Sequence, residues 1–132
     1  FTAKNHDHPS MLGPLGILPG VLVDEGIMLN TLNKVLREWD FAQVWGWDFP
    51  MMAMTAARLG QPELAIEALM LEAPTNTYLA NGHNRQGTKR ELPLYLPGNG
   101  ALLTAVGILV FIDKNMRILF LNFTCHTRML CQ

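Results

Sequence analysis

Two histidines separated by one residue, His6 and His8 in "NHDHPS", are the first side chains whose type and spacing suit chemistry. On an extended segment, residues two apart point the same way, so the two imidazoles could share a metal ion or a polar ligand. Only two metal ligands are visible there, and neither a nearby cysteine nor a Glu-x-x-His pair completes a set, so no metal is expected. Two readings remain, hydrogen bonding to a polar ligand and a purely structural loop. Further along, Trp45 and Trp47 flank Gly46 directly before Asp48. Flat rings beside a carboxylate suit a sugar, whose apolar C–H face stacks while its hydroxyls bond to the acid. The competing reading places the rings in the core, and one of them is expected there, since alternate residues at a helix start seldom all face one cavity.

The stretch "NGHNRQG" at 81–87 gathers His83, Asn84, Arg85 and Gln86 between glycines, which makes either a dense set of donors and acceptors or a solvated turn. "PGNG" at 97–100 has the glycines of a phosphate loop, but no strand precedes it and no Lys-Ser/Thr follows, which excludes a nucleotide site. Glycoside hydrolysis needs a carboxylic acid and a carboxylate on either side of the scissile bond, roughly 6.5–9.5 Å apart in an inverting enzyme. Asp7, Asp24, Glu25, Asp40, Asp48 and Glu91 are the acids near loops or helix ends, and spacing selects no pair among them. Catalytic residues are therefore unassigned, and no cofactor is expected.

The elements that must position these groups are helices. Met28, Leu32, Val35, Leu36 and Trp39 recur at three-and-four spacing, the mark of an amphipathic helix over 24–39. Pro50 suits a first helical turn and predicts a second helix over 50–59, capped by Asp48 or Phe49. Gly60 and Pro62 then close one helix and open the next, so 50–72 reads as an αα-hairpin. Its first arm is rich in Met and Ala and should be buried, while its second keeps Glu63, Glu67 and Glu72 for water. Residues 73–99, rich in Pro, Gly and Asn, have no helical period and read as a long loop, the first place to look for a site. A fourth helix should start near Asn99 and run to about Ile112. The tail, 115–132, carries Cys125, Cys131 and "ILFLNF", a candidate short strand, and does not fit the pattern before it.

The totals bound the partners. At 132 residues with 49% hydrophobic and 16% charged side chains, the chain has the length of one domain and should bury a core. A formal net charge of -1 leaves no basic face for nucleic acid or anionic lipid. The longest apolar run, "ALLTAVGILVFI", falls short of the roughly 20 residues a bilayer span needs, so it reads as a buried helix. The first residues show neither an initiating Met nor a signal peptide, and the two late cysteines form no framework of bridges, so compartment is unreadable from either.

Three segments carry a resemblance. "NHDHPSMLGPLGILPG" resembles the Asn-His-x-His-x-Ser and following Leu-x-Pro-Gly of the six-hairpin glycosidases, especially the α-L-fucosidase-like glycoside hydrolase family 95 and its bacterial relatives. "WGWDFPMMAMTAARLGQPELAIEALM" is similar to their Trp, apolar helix and Ala-x-x-Leu repeat, and "LPLYLPGNGALLTAVGILV" to the Gly-Asn segment that opens their last inner helix. The likeness spans about 4–110 in the right order. It implies an all-α fold, an (α/α)6 toroid of which this chain holds the C-terminal two to three hairpins over 1–114, with the long loop at 73–99.

The resemblance also implies a carbohydrate ligand, with His6 and His8 on sugar hydroxyls and Trp45, Asp48, His83, Tyr95 and Asn99 near the same cleft. It suggests a periplasmic or extracellular location. Two departures matter for activity. Pro97 stands where fucosidase-type members have an Asp before the Gly-Asn, and the family's general acid lies upstream of the matched region. The expectation is thus a fragment of a carbohydrate-active protein, inactive alone, whose apolar helix faces drive homo-oligomerisation. The alternatives are a non-enzymatic helical self-association domain and a small carbohydrate-binding module.

Overall fold

A computed structural model describes residues 4–87 and 92–112, and the candidate strand, both cysteines and Glu91 lie outside the described residues. The first segment, read as an extended stretch or a structural loop, coils. A 3-10 turn over Ser10–Leu12 runs into a one-turn helix α1 (Gly13–Gly16), with Pro14 in the first turn where its missing N–H costs nothing. The next helix, α2 (Glu25–Glu38), begins as its sequence asks. The Asp24 carboxylate accepts the Ile27 N–H at 2.8 Å, and Met28, Leu32 and Val35 are buried along one face.

Helix α3 (Asp48–Arg58) starts two residues earlier than Pro50 suggested, and α4 (Pro62–Met70) follows it. Gly60, at φ 67°, takes the left-handed conformation that lets the Gln61 N–H reach the Ala56 carbonyl at 2.9 Å, closing the turn of the hairpin. From Asp48 to Ala57 every residue of α3 is buried, as expected for the Met/Ala arm, whereas Glu63 and Glu67 on α4 are exposed. Phe49, fully buried, is worth about 1.5–3 kcal/mol by its removal from water.

The segment 73–99 is more ordered than a loop. It holds an antiparallel ribbon, β1 (Thr77–Tyr78) and β2 (Asn84–Arg85), and the first turn of α5 (Leu96–Ile112), which begins three residues before Asn99. The fold is helical, but this ribbon departs from the all-α expectation. Its signal was present in the Asn81-Gly82 dipeptide. Gly82, at φ 82°, makes the bend that Asn-Gly pairs favour between strands.

Asn84 locks the ribbon in place. Its Nδ2 donates to the carbonyls of Thr75 (3.1 Å) and Thr77 (3.3 Å), its N–H donates to Asn99 Oδ1 (2.9 Å), and its carbonyl accepts the Tyr95 N–H (2.8 Å). Its Oδ1 is buried without a hydrogen-bond donor, wedged so that a Cβ added at Gly46 or Gly98 would lie 2.1 Å away. The ribbon thereby holds the segment before α3 against the start of α5. Because the two helices start side by side and pack along each other, they run in the same direction, with α4 antiparallel beside them.

Gly98→Ala should therefore destabilise the chain by about 1–3 kcal/mol, as overpacking does in a closed interior. Urea melts would read this, and a variant as stable as the native chain would show that Asn84 has room to retreat.

Candidate functional site

Two side chain–backbone bonds fasten the N-terminal segment to the end of α2. Asn5 Nδ2 donates to the Glu38 carbonyl (2.6 Å), and the Trp39 indole N–H donates to the Asp7 carbonyl (2.6 Å). His8 is thus held over the first turn of α3. The turn geometry of residues 4–7 replaces the extended run expected there, so the two imidazoles part company. His8 is half-buried, while His6 is exposed and joins no hydrogen bond among the described residues.

Asp48 is the first residue of α3, where an acid meets the positive end of the helix dipole. Its carboxylate is fully buried. Oδ2 accepts the Trp45 N–H at 2.8 Å, and both oxygens lie 3.0 Å from His8 Nδ1. Burial pushes the Asp48 carboxyl above its ordinary range. The Trp45 N–H and the neighbouring His8 pull it back without cancelling that shift, and the charge of Asp7 adds a smaller upward push.

The same His8 Nδ1 also lies 3.1 Å from the Trp47 indole Nε1. An indole N–H only donates and a carboxylate only accepts, so one ring nitrogen cannot satisfy both. With a proton on Nδ1, His8 donates to Asp48. Without one, Nδ1 accepts from Trp47.

Aromatic rings surround this pair. The Trp45 ring lies 5.9 Å from His8 and 5.4 Å from Tyr95, tilted at 41° and 47°, and Trp47 meets His8 edge-on at 5.2 Å. Burial, and then the charge of Asp48, raises the Tyr95 hydroxyl. Trp45 is 37% exposed, whereas the Trp47 indole N–H lies against His8 Nδ1. His8, Trp45, Asp48 and Tyr95 therefore form one cluster.

The other expected site residues are placed differently. His83 sits near the hairpin bend, where its N–H donates to Asn81 Oδ1 (3.1 Å) and its ring faces the Asn81 amide. Asn99 staples the ribbon, accepting from Asn84 and donating to the Gly82 carbonyl at 2.7 Å. Gln86, read only as one of a polar set, proves central. Its buried amide accepts the Gly46 N–H (2.9 Å) and donates to the Val44 carbonyl (3.3 Å), fixing the backbone that presents Trp45. Nothing in the sequence separates Gln86 from a solvated turn residue, because its partners are backbone groups about 40 residues away.

Among the described residues, no group of three or more His, Cys, Asp or Glu could hold a metal ion, and no helix is long and apolar enough to cross a membrane.

Because folding raises the Asp48 pKa, the protonated carboxyl is favoured in the native state. Its contribution to stability is full below the ordinary value of 3.8 and is lost as pH rises through the raised one. The Asn side chain in Asp48→Asn can still accept the Trp45 N–H but does not titrate. Native stability minus that of Asp48→Asn should therefore fall as pH rises above 3.8 in stepped urea melts. A difference that rises over that range would mean that the partners of Asp48 outweigh its burial.

In comparisons with family models, with curated proteins and with solved structures, nothing matches this chain.

Proposed function

We propose that this chain is part of a carbohydrate-active protein of the glycoside hydrolase kind, binding a sugar at the His8–Trp45–Asp48–Tyr95 cluster without cleaving it unaided. One observation carries the reading: a partly open indole, Trp45, stands beside Tyr95 and His8 over a buried carboxylate. An indole ring stacks on the C–H face of a sugar, and His8, half in water, offers its second nitrogen to a hydroxyl. Asp48 takes part through His8, since it has no exposed surface of its own.

The toroid is part of the same proposal. Two long helices, α3 and α5, run in one direction with the antiparallel α4 between them in sequence, the succession a ring of helical hairpins requires. Hydrolysis is not expected from this chain alone. Pro97 stands where the family this chain resembles has an Asp, and inversion or retention needs two carboxyl groups across the bond.

Binding should be weak, with a Kd on the order of millimolar, because one stacked ring and a few hydrogen bonds must offset the immobilisation of the ligand. Titrating monosaccharides against tryptophan emission should show this, with Trp45→Ala losing the signal while the helical circular dichroism persists. Aryl glycosides should not turn over. A Trp45→Ala protein that still binds, or turnover in protein free of host enzymes, would sink the reading.

A second reading, self-association, rests on a separate observation. Leu22 is 98% exposed and Phe111 88%, with Val21, Leu103 and Val110 also open to water. Apolar patches beyond a few hundred Å² rarely stay uncovered on a monomer. Sedimentation at high micromolar concentration should show species larger than 14.8 kDa. A clean monomer would remove this reading and leave the sugar site untouched.

A further inference from the structure

A groove of about 370 Å³ lies between α1, α3 and α5, with Trp47 in its lining. Met51 and Met54 of α3 line one wall, and Ala101 and Ile108 of α5 the other. Trp47 stands near one end and Arg58 at the other, about 16 Å apart along the helix axis at 1.5 Å per residue. Gly16 lets α1 close the groove, since its backbone lies so near α3 that a Cβ would meet the Met51 carbonyl at 2.8 Å.

Arg58 is the one ionisable side chain in that lining. Its Nη1 donates to the carbonyls of Leu15, Gly16 and Leu18 at the end of α1, which fixes the plane of the guanidinium. Those bonds use neither Nε nor Nη2, and among the described residues no carboxylate pairs with Arg58. Thr104, the other polar group in the lining, already spends its hydroxyl on the Gly100 carbonyl at 2.9 Å. The groove is thus an apolar trough with a single, oriented cation at its end.

We propose that this groove binds an elongated apolar molecule ending in a carboxylate, of the class of medium-chain fatty acids. The carboxylate lies on the remaining N–H groups of Arg58, whose planar fork matches it, and the tail runs over the methionines toward Trp47. Methionines suit such a tail because their unbranched, polarisable side chains adapt to its shape. The volume of about 370 Å³ lies at the lower end of the roughly 300–1,000 Å³ of small-molecule sites. This site is independent of the sugar reading, because it uses neither His8, Trp45 nor Asp48.

The test is calorimetric titration of the whole chain at about pH 8 with dodecanoate below its micelle concentration, beside dodecanol as the uncharged twin. Dodecanoate should bind about tenfold or more tightly than dodecanol, the difference a charge-assisted hydrogen bond makes. Thr104→Trp, at an exposed position whose new ring would fill the trough, should abolish binding of both while circular dichroism stays native. Arg58→Gln should remove the preference for the acid. If that variant fails to fold, because α1 loses its carbonyl partners, the acid-to-alcohol ratio and Thr104→Trp still decide. Equal affinity for alcohol and acid, binding unchanged in Thr104→Trp, or no binding at all would each overturn the proposal.

Discussion

A helix buried along nearly its whole length imposes its needs on everything around it. From Asp48 to Ala57, α3 is buried, so other elements must cover it on nearly every side. Each neighbour meets that demand by a different device. The small residues Ala65 and Ala68 let α4 lie close, Gly16 brings the backbone of α1 against the Met51 carbonyl, and α5 packs along a third side. The hairpin turn at Gly60 follows from the same demand, since α4 must fold straight back to give its cover.

Burying the whole of α3 also buries the carboxylate at its first residue. Asp48 would be costly there without partners, and it has the helix dipole, the Trp45 N–H and His8. Its chemistry is therefore a by-product of packing. Desolvation raises this carboxyl beside an imidazole whose Nδ1 also faces the Trp47 N–H.

Much of the polarity that looks functional in this chain is spent on architecture. Asn84, Gln86 and Asn99 are amides with both donors and acceptors, and each satisfies backbone groups that no regular ladder reaches. They position the cluster by joining three distant segments, the approach to α3, the ribbon and the start of α5. What faces water in the cluster is the part those amides leave over, the open ring of Trp45 and the free side of His8.

The sequence alone determined the helices and their faces. Hydrophobic period, the Asp24 cap, and the pairing of Gly60 with Pro62 are local signals, so α2, α3 and α4 and the contrast between buried and half-exposed arms were legible without coordinates. Trp45 and Asp48 could be singled out because they share one short stretch with an unusual composition. Tertiary structure decided which polar side chains meet. His8 and Asp48 are 40 residues apart, and His6 fell away from the pair because a turn at residues 4–7 replaced an extended run. Asn99 and Gln86 look alike in sequence to solvated loop residues, yet both are staples. Their partners are main-chain groups, which every residue carries, so no residue type marks them in advance.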